Sequence, residues 1–266
     1  MVQLDHLQTL NGPTSLDRND MSLLAQSDLL LSMAHLYLPP DKDLRQKTTT
    51  FQEEVERLLS WADFSNSEPL KETFRIFFKC ALESNRSDLQ DEYSRLFLGS
   101  TICPINETAY LPRDKGSVLA DIAGFYKAFG VNRSAKIYEK DDHLVCELEF
   151  IAILFYLLAQ ARIGQHREQE EITRRALISF SSQHFDDWFP SFCHLLLEKT
   201  ALDFYRLLTE IMVMVWENLK KKNELPSVSQ ISVMAPSTEK EDVGDCGVTF
   251  KPNHPRDDLS SLLRGL

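Results

Sequence analysis

Residues 141–164 read DDHLVCELEFIAILFYLLAQARIG. Two aspartates and a histidine lead into a stretch where Leu144, Leu148, Ile151, Phe155 and Leu158 recur at intervals of three and four, the period of one helix face. No charged side chain interrupts residues 150–161, and a helix this apolar on most faces belongs in the middle of a core. Asp141 or Asp142 stands where an N-terminal cap is needed, and Gly164 stands near the helix end. The uncharged run is shorter than the roughly 20 residues that cross a hydrocarbon layer of about 30 Å. It therefore reads as a buried helix, with no stable membrane insertion expected.

Outward from this stretch the same punctuation repeats. Residues 20–38 are apolar on most faces (Leu23, Leu24, Leu30, Leu31, Ala34, Tyr37) and stop at Pro39-Pro40, which predicts a second central helix. Thr50 with Glu53 can form a capping box ahead of Phe51, Val55, Leu58, Leu59 and Ala62. Ser67 before Pro69 opens a stripe of Leu70, Phe74, Phe77, Phe78 and Ala81. Ser87 with Gln90 repeats the box ahead of Leu89, Tyr93, Leu96 and Phe97, and Gly99 occupies a left-handed C-cap position. Residues 100–115 hold Pro104 and Pro112 and form a long loop, after which Val118, Leu119, Ile122, Tyr126 and Phe129 resume a helix ending at Gly130.

Beyond residue 164, Ile172, Ala176 and Phe180 mark a charged, peripheral helix, and residues 188–197 a short aromatic one. Thr200 begins the last strong helix, with Phe204, Leu208, Ile211, Val215, Trp216 and Leu219 inward. Lys220, Lys221 and Lys222 finish it at the carbonyl end of the macrodipole. The expected architecture is all-α: an N-terminal segment 1–19, one compact multi-helix domain over 20–222, and a flexible tail 223–266 rich in Pro, Ser, Gly and charge. No repeat of solenoid period is present.

Composition narrows the function classes. Lys plus Arg is 29 and Asp plus Glu is 40, a net charge of −11 that repels phosphate backbones and anionic lipids, so neither nucleic acid nor a membrane surface is an expected partner. With 9 Gly and 11 Pro, the chain is poor in the turns of a β-sandwich and in phosphate-cradling loops. Its 5 cysteines are scattered, without Cys-x-x-Cys pairs, and the start lacks an export signal; a reducing cytoplasm is the expected location. Nucleophile-elbow, dinucleotide and zinc-protease signatures are missing. The closest metal-like feature is His143 with Glu147, four apart on one helix face, but the sequence points to none of the further ligands a site needs. No cofactor is expected.

Two stretches concentrate unusual residues: Tyr93-Ser-Arg-Leu-Phe97-Leu-Gly99, running into Pro104-Ile-Asn-Glu107-Thr-Ala-Tyr110, and Asp141-Asp142-His143-Leu-Val-Cys-Glu147-Leu148-Glu149-Phe150. In this order they resemble the TorD/DmsD family of redox-enzyme maturation chaperones, which shows Tyr/Phe-x-x-Leu-Phe-x-Gly, then Pro-x-x-Glu-(Ser/Thr)-x-Tyr, then Asp-His-Leu/Ile-x-x-Glu-Leu-x-Phe. The likeness extends over residues 20–222, with Trp188, Phe192, Phe204 and Tyr205 similar to the family's C-terminal half. One departure is Lys140, where the family usually carries Pro two residues before the Asp of Asp-His. The resemblance implies an all-helical cytoplasmic chaperone, without catalysis of its own. It would bind the N-terminal leader of a molybdopterin oxidoreductase catalytic subunit, often two arginines before an apolar segment, until the cofactor is inserted. Monomer and homodimer, the latter by helix exchange, are both open.

A receptor for such a leader needs carboxylates beside an apolar groove. Glu107, Asp142 and Glu147 are expected to form an acidic rim at the surface, with His143 beside them and Leu96, Phe97, Tyr110 and Leu144 as apolar walls. Taken singly, Tyr93, Leu96 and Phe97 also suit a core, Asp142 a helix cap, and His143 a neutral imidazole in a first helical turn. Two other classes compete: a metal- or nucleotide-dependent helical enzyme using His143 and Glu147, and a general acidic adaptor for other proteins.

Overall fold

The computed structural model describes residues 17–64, 67–98, 102–131 and 140–227. The first helix, α1 (Arg18–Ala34), is capped by Asp17, whose carboxylate accepts from the Asp20 amide at 2.7 Å, and a 3-10 turn (His35–Tyr37) carries it to Pro39. Then come α2 (Leu44–Ala62), α3 (Glu68–Glu83) and α4 (Arg86–Phe97); α5 (Lys115–Ala128) follows the proline loop, and α6 (Leu144–Ile163) and α7 (Arg167–Phe180) follow it. A π turn (Ser181–Phe185) leads into α8 (Asp186–Lys199), and α9 (Asp203–Asn223) is the last helix of the described residues. Among the described residues there is no strand, only an isolated bridge between Asn106 and His143. The fold is all-α.

At the centre α1 and α6 lie side by side. Arg162 Nε donates to Asp20 at 2.9 Å, Ser27 Oγ to the Ala152 carbonyl at 2.8 Å, and His35 Nε2 meets Glu149 at 3.1 Å. The residue numbers rise along one helix as they fall along the other, so the pair is antiparallel. Helix α2 packs on the other side of α1, α3 on α2 and α9, α8 on α9, and α7 on α6. The apolar series expected on α6 is all buried, Leu144, Leu148, Ile151 and Phe155 completely so.

The helix is longer than its uncharged run. At 20 residues with mean hydropathy 1.9 over its best window, α6 could cross a bilayer by length and composition, contrary to the shorter reading from sequence. In this fold 67% of that window is buried, and α6 serves as the core helix.

Four helix starts differ from the sequence reading, and one is that of α9, which begins at Asp203 while Thr200 serves as the C-cap of α8. Helix α2 begins at Leu44 rather than after Thr50, because Thr48 and Thr49 turn their hydroxyls back onto the Leu44 and Arg45 carbonyls and continue a helix already begun. Asn85, not Ser87, caps α4, and Gln90 reaches the Pro40 carbonyl at 2.8 Å instead of closing a capping box. His143, not an aspartate, caps α6: its Nδ1 accepts from the Val145 amide at 3.2 Å.

On α7 the buried positions are Thr173, Leu177 and Phe180, whereas Ile172 is exposed. Lys220 is not equivalent to Lys221 and Lys222: it is 8% exposed and donates to Asp186 at 3.0 Å, beside the Trp216 indole at 2.7 Å from the same oxygen. Gly130 takes φ 69°, where a side chain would be strained, as its place after α5 requires. Of the stretch expected as a tail, Asn223 closes α9 and Leu225 is buried. Residues 1–16, Gly99 and residues 228–266 lie outside the described residues.

Candidate functional site

The two motif stretches meet. The Glu107 amide donates to the Asp142 carbonyl at 2.9 Å and the Leu144 amide to the Ile105 carbonyl at 3.0 Å, which stitches the proline loop to the chain entering α6. Asp142 completes the seam with its side chain: Asn106 Nδ2 at 3.0 Å, the Thr108 amide at 3.1 Å and the Thr108 hydroxyl at 2.6 Å all donate to its carboxylate. Asp142 is thus committed to the loop, and the α6 cap falls to the next residue. The loop is also closed on itself, for Tyr110 donates from its hydroxyl to the Pro104 carbonyl at 2.7 Å and lays its ring against Trp188 at 5.5 Å.

Beneath the seam lies a column of ionisable groups. Both oxygens of Glu107 stand 3.1 Å from His184 Nδ1, and His184 Nε2 stands 3.2 Å from Asp121 on α5. Each ring nitrogen faces a carboxylate, an arrangement in which both contacts are hydrogen bonds when the ring carries two N–H groups. The ring also packs on Phe180 at 5.1 Å and Phe125 at 5.8 Å. On the inner side of Glu107 sits Glu147, which accepts from the Trp188 indole at 3.0 Å. Burial, and then the neighbouring Glu107 charge, push the Glu147 carboxyl well above the carboxylate range, with the Trp188 bond acting the other way. Burial and the neighbouring charge thus both favour the protonated form of the Glu147 carboxyl. His143 moves in the opposite sense: burial lowers it to about 4 against the pull of Asp142, which keeps Nδ1 free to accept from Val145.

All eight residues expected to line an open groove are placed within this region, but none is exposed by more than 5%. Glu107, Asp142, Glu147 and Leu144 are at 0%, His143 at 5%, and Leu96, Phe97 and Tyr110 belong to the core. The expected acidic rim at the surface is corrected to a buried joint. The physical reason is that each carboxylate finds a donor within the fold, in Asn106 and Thr108, in His184, or in Trp188, with Glu147 Oε1 alone among these oxygens buried without one. Phe97 in turn lies against Tyr93 at 5.0 Å and Tyr205 at 5.8 Å.

Asp121, His184 and the role of Trp188 are not apparent from the sequence. His184 occupies the π turn, where the apolar period is broken, and its partner Glu107 is 77 residues away. Asn106 and Thr108 lie inside the quoted loop motif and could have been named as donors. Among the described residues no group of three or more His, Cys, Asp or Glu is placed to hold a metal ion.

Residues 65–194 match the family model of the nitrate reductase delta subunit. Over 111 residues the chain is 32% identical to the chlorate reductase assembly chaperone protein of Ideonella dechloratans, covering 40% of this chain and 56% of that one. Over 78 residues it is 36% identical to the selenate reductase assembly chaperone protein of Thauera selenatis, covering 29% and 39%. Over 136 residues it is 24% identical to the chaperone protein TorD of Aliivibrio salmonicida, covering 49% and 62%. The chain thus spans about half the length of the curated relatives it matches. A solved redox enzyme maturation protein from Archaeoglobus fulgidus superposes with a TM-score of 0.41 at 19% identity, over 77% of this chain and 99% of that one.

Proposed function

We propose, for a chain that belongs to the TorD/DmsD family of redox-enzyme maturation chaperones, that its client is the apo form of a molybdopterin oxidoreductase catalytic subunit. The chaperone engages the client's N-terminal leader in the cytoplasm and holds it back from export until the cofactor is in place. It is not an enzyme and alters no bond of the client. The observation that carries this reading is that the matched stretch, residues 65–194, contains the whole joint of Glu107, Asp121, Asp142, Glu147, His184 and Trp188. Curated relatives of the chain are assembly chaperones of chlorate and selenate reductases.

In this reading the eight motif residues work by fastening. They hold the loop and the start of α6 in one piece, so the surfaces carried by those elements are presented in fixed register. Charge-assisted contacts to a leader contribute about 1.5–3 kcal/mol each and burying about 400 Å² of apolar area roughly 10 kcal/mol gross, while ordering a flexible peptide costs about 2–5 kcal/mol and association about 4 kcal/mol or more. The balance suits a complex of roughly micromolar strength that can be released.

The test is calorimetric titration of the purified chain with a synthetic leader in which two adjacent arginines precede an apolar run, and with the same peptide carrying alanines in their place. Binding of the first that weakens in the second is expected. Equal binding of both would instead fit the acidic adaptor, and a lack of binding to either would remove the leader from the account.

A further inference from the structure

Away from the buried joint, the most apolar helix has one side that is only half-buried. Along α6, Glu149, Ile153, Tyr156 and Gln160 follow at intervals of four, three and four, each half-buried, with Leu157 beside them. Helix α1 offers a matching side, with Asp28, Leu31, Ser32 and His35 half-buried. Because the helices are antiparallel, these two sides form one continuous face, closed at one end by the His35–Glu149 contact.

Asp28 sits at the middle of this face, within electrostatic reach of Glu54 and Arg57 on α2 and of Tyr156 on α6. Glu54 already accepts from Arg57 at 2.8 Å and Glu149 already faces His35 at 3.1 Å. Asp28 is different: its carboxylate accepts no hydrogen bond from the described residues. Burial raises it to about 6, with Glu54 adding to the rise and Arg57 opposing it. A carboxylate that has lost much of its water and has no donor is stabilised strongly by an arriving guanidinium.

We propose that this α1–α6 face is the docking surface for the leader, with a leader arginine on Asp28 and the apolar run along Ile153, Tyr156 and Leu157. The proposal rests on the reading that the chain binds a leader at all. Charge complementarity favours that occupant over a second copy of this acidic chain: among the described residues, three carboxylates, Asp28, Glu54 and Glu149, border an apolar strip, with Arg57 and His35 opposing them. It also gives the motif helix two jobs, its start fastened inside the joint and its outer side left for the client.

The test compares Asp28→Asn and Ile153→Ser with wild type, using the arginine-pair peptide and its alanine counterpart, and Asp91→Asn, a remote exposed position on α4, as a charge control. Helical circular dichroism and the unfolding midpoint show whether each variant keeps its fold. Expected is an affinity loss of about tenfold or more in both face variants, wild-type binding in the control, and an arginine effect that disappears in Asp28→Asn. If wild type binds the peptide and the face variants bind it equally well, or the control weakens as much, this surface is not the site and the chaperone reading survives. If wild type binds neither peptide, both fail. A wild-type dimer in sedimentation that becomes monomeric in Asp28→Asn would assign the face to a second copy and overturn the proposal.

Discussion

His184 holds both carboxylate oxygens of Glu107 at 3.1 Å across 77 residues of sequence, and both side chains are out of contact with water. The bond ties the proline loop to the π turn before α8, so two stretches that share no helix are fixed to one another. Truncating Glu107 leaves His184 Nδ1 buried without its acceptor, and truncating His184 leaves the buried Glu107 carboxylate without its imidazole partner.

Glu107→Ala is accordingly expected to cost about 3–5 kcal/mol of stability, read as a lowered midpoint in urea unfolding. The surface rim expected from sequence would instead give a variant with unchanged stability and weakened peptide binding. A wild-type midpoint in Glu107→Ala would show that the pair does not hold the loop.

Asp142→Ala removes the acceptor for three donors and leaves Asn106 and Thr108 unsatisfied. A loss of about 2–4 kcal/mol is expected. Faster hydrogen exchange at the Glu107 and Leu144 amides should accompany it, because both belong to the seam that Asp142 secures. Exchange at α9 amides, far along the chain, should change only through global unfolding.

His143 makes stability fall in acid. Its pKa is lowered to about 4 in the fold against 6.5 when exposed, so its contribution is complete above pH 6.5 and is lost as the pH falls to about 4. That gap corresponds to a loss of about 3 kcal/mol at most. His143→Asn, whose side chain can still cap α6, should flatten this part of a plot of unfolding midpoint against pH. An unchanged slope in the variant would assign the acid limb to other groups.

Glu147 acts with the reverse sign. Its raised carboxyl contributes stability that is present below pH 4.5 and is lost as the pH rises through its folded value. Glu147→Gln keeps an oxygen for the Trp188 indole and offers an amide to Glu107, without the titration. It should gain about 1 kcal/mol over wild type at pH 8 and lose that advantage near pH 4, as judged by thermal unfolding at the two pH values.

Lys220 and Lys221 separate a buried ion pair from a solvated charge. Lys220→Met leaves Asp186 with the Trp216 indole but without its cation, and is expected to cost about 2–3 kcal/mol. Lys221→Met, at an exposed position, should stay within about 0.5 kcal/mol of wild type.

The sequence was most legible where one physical effect dominates. On α6 the apolar period identified the buried series correctly, because a helix with no polar face has only one place to go. Helix starts were less legible: Thr50 and Ser87 have capping side chains, but whether a cap is used depends on the residues before it, as Thr48 and Asn85 show. The joint was half legible. Motif order brought Glu107, Asp142 and Glu147 together, yet charged residues are read as exposed unless a donor is in view. The donors that buried them, His184 and Trp188, come from a distant part of the chain. Asp28 had no motif at all, and only packing of α1 on α6 brings it beside Tyr156.

The π turn at Ser181–Phe185 sets how this chain can vary. One extra residue is accommodated there, which is what lets His184 face Glu107 while Trp188, four positions on, still reaches Glu147. Excising a single residue between 181 and 185 would restore uninterrupted α winding and swing everything downstream by about 100°, carrying Trp188 and Phe192 out of phase with the loop they pack on. Homologous chains should therefore differ in residue type across this stretch far more readily than in length.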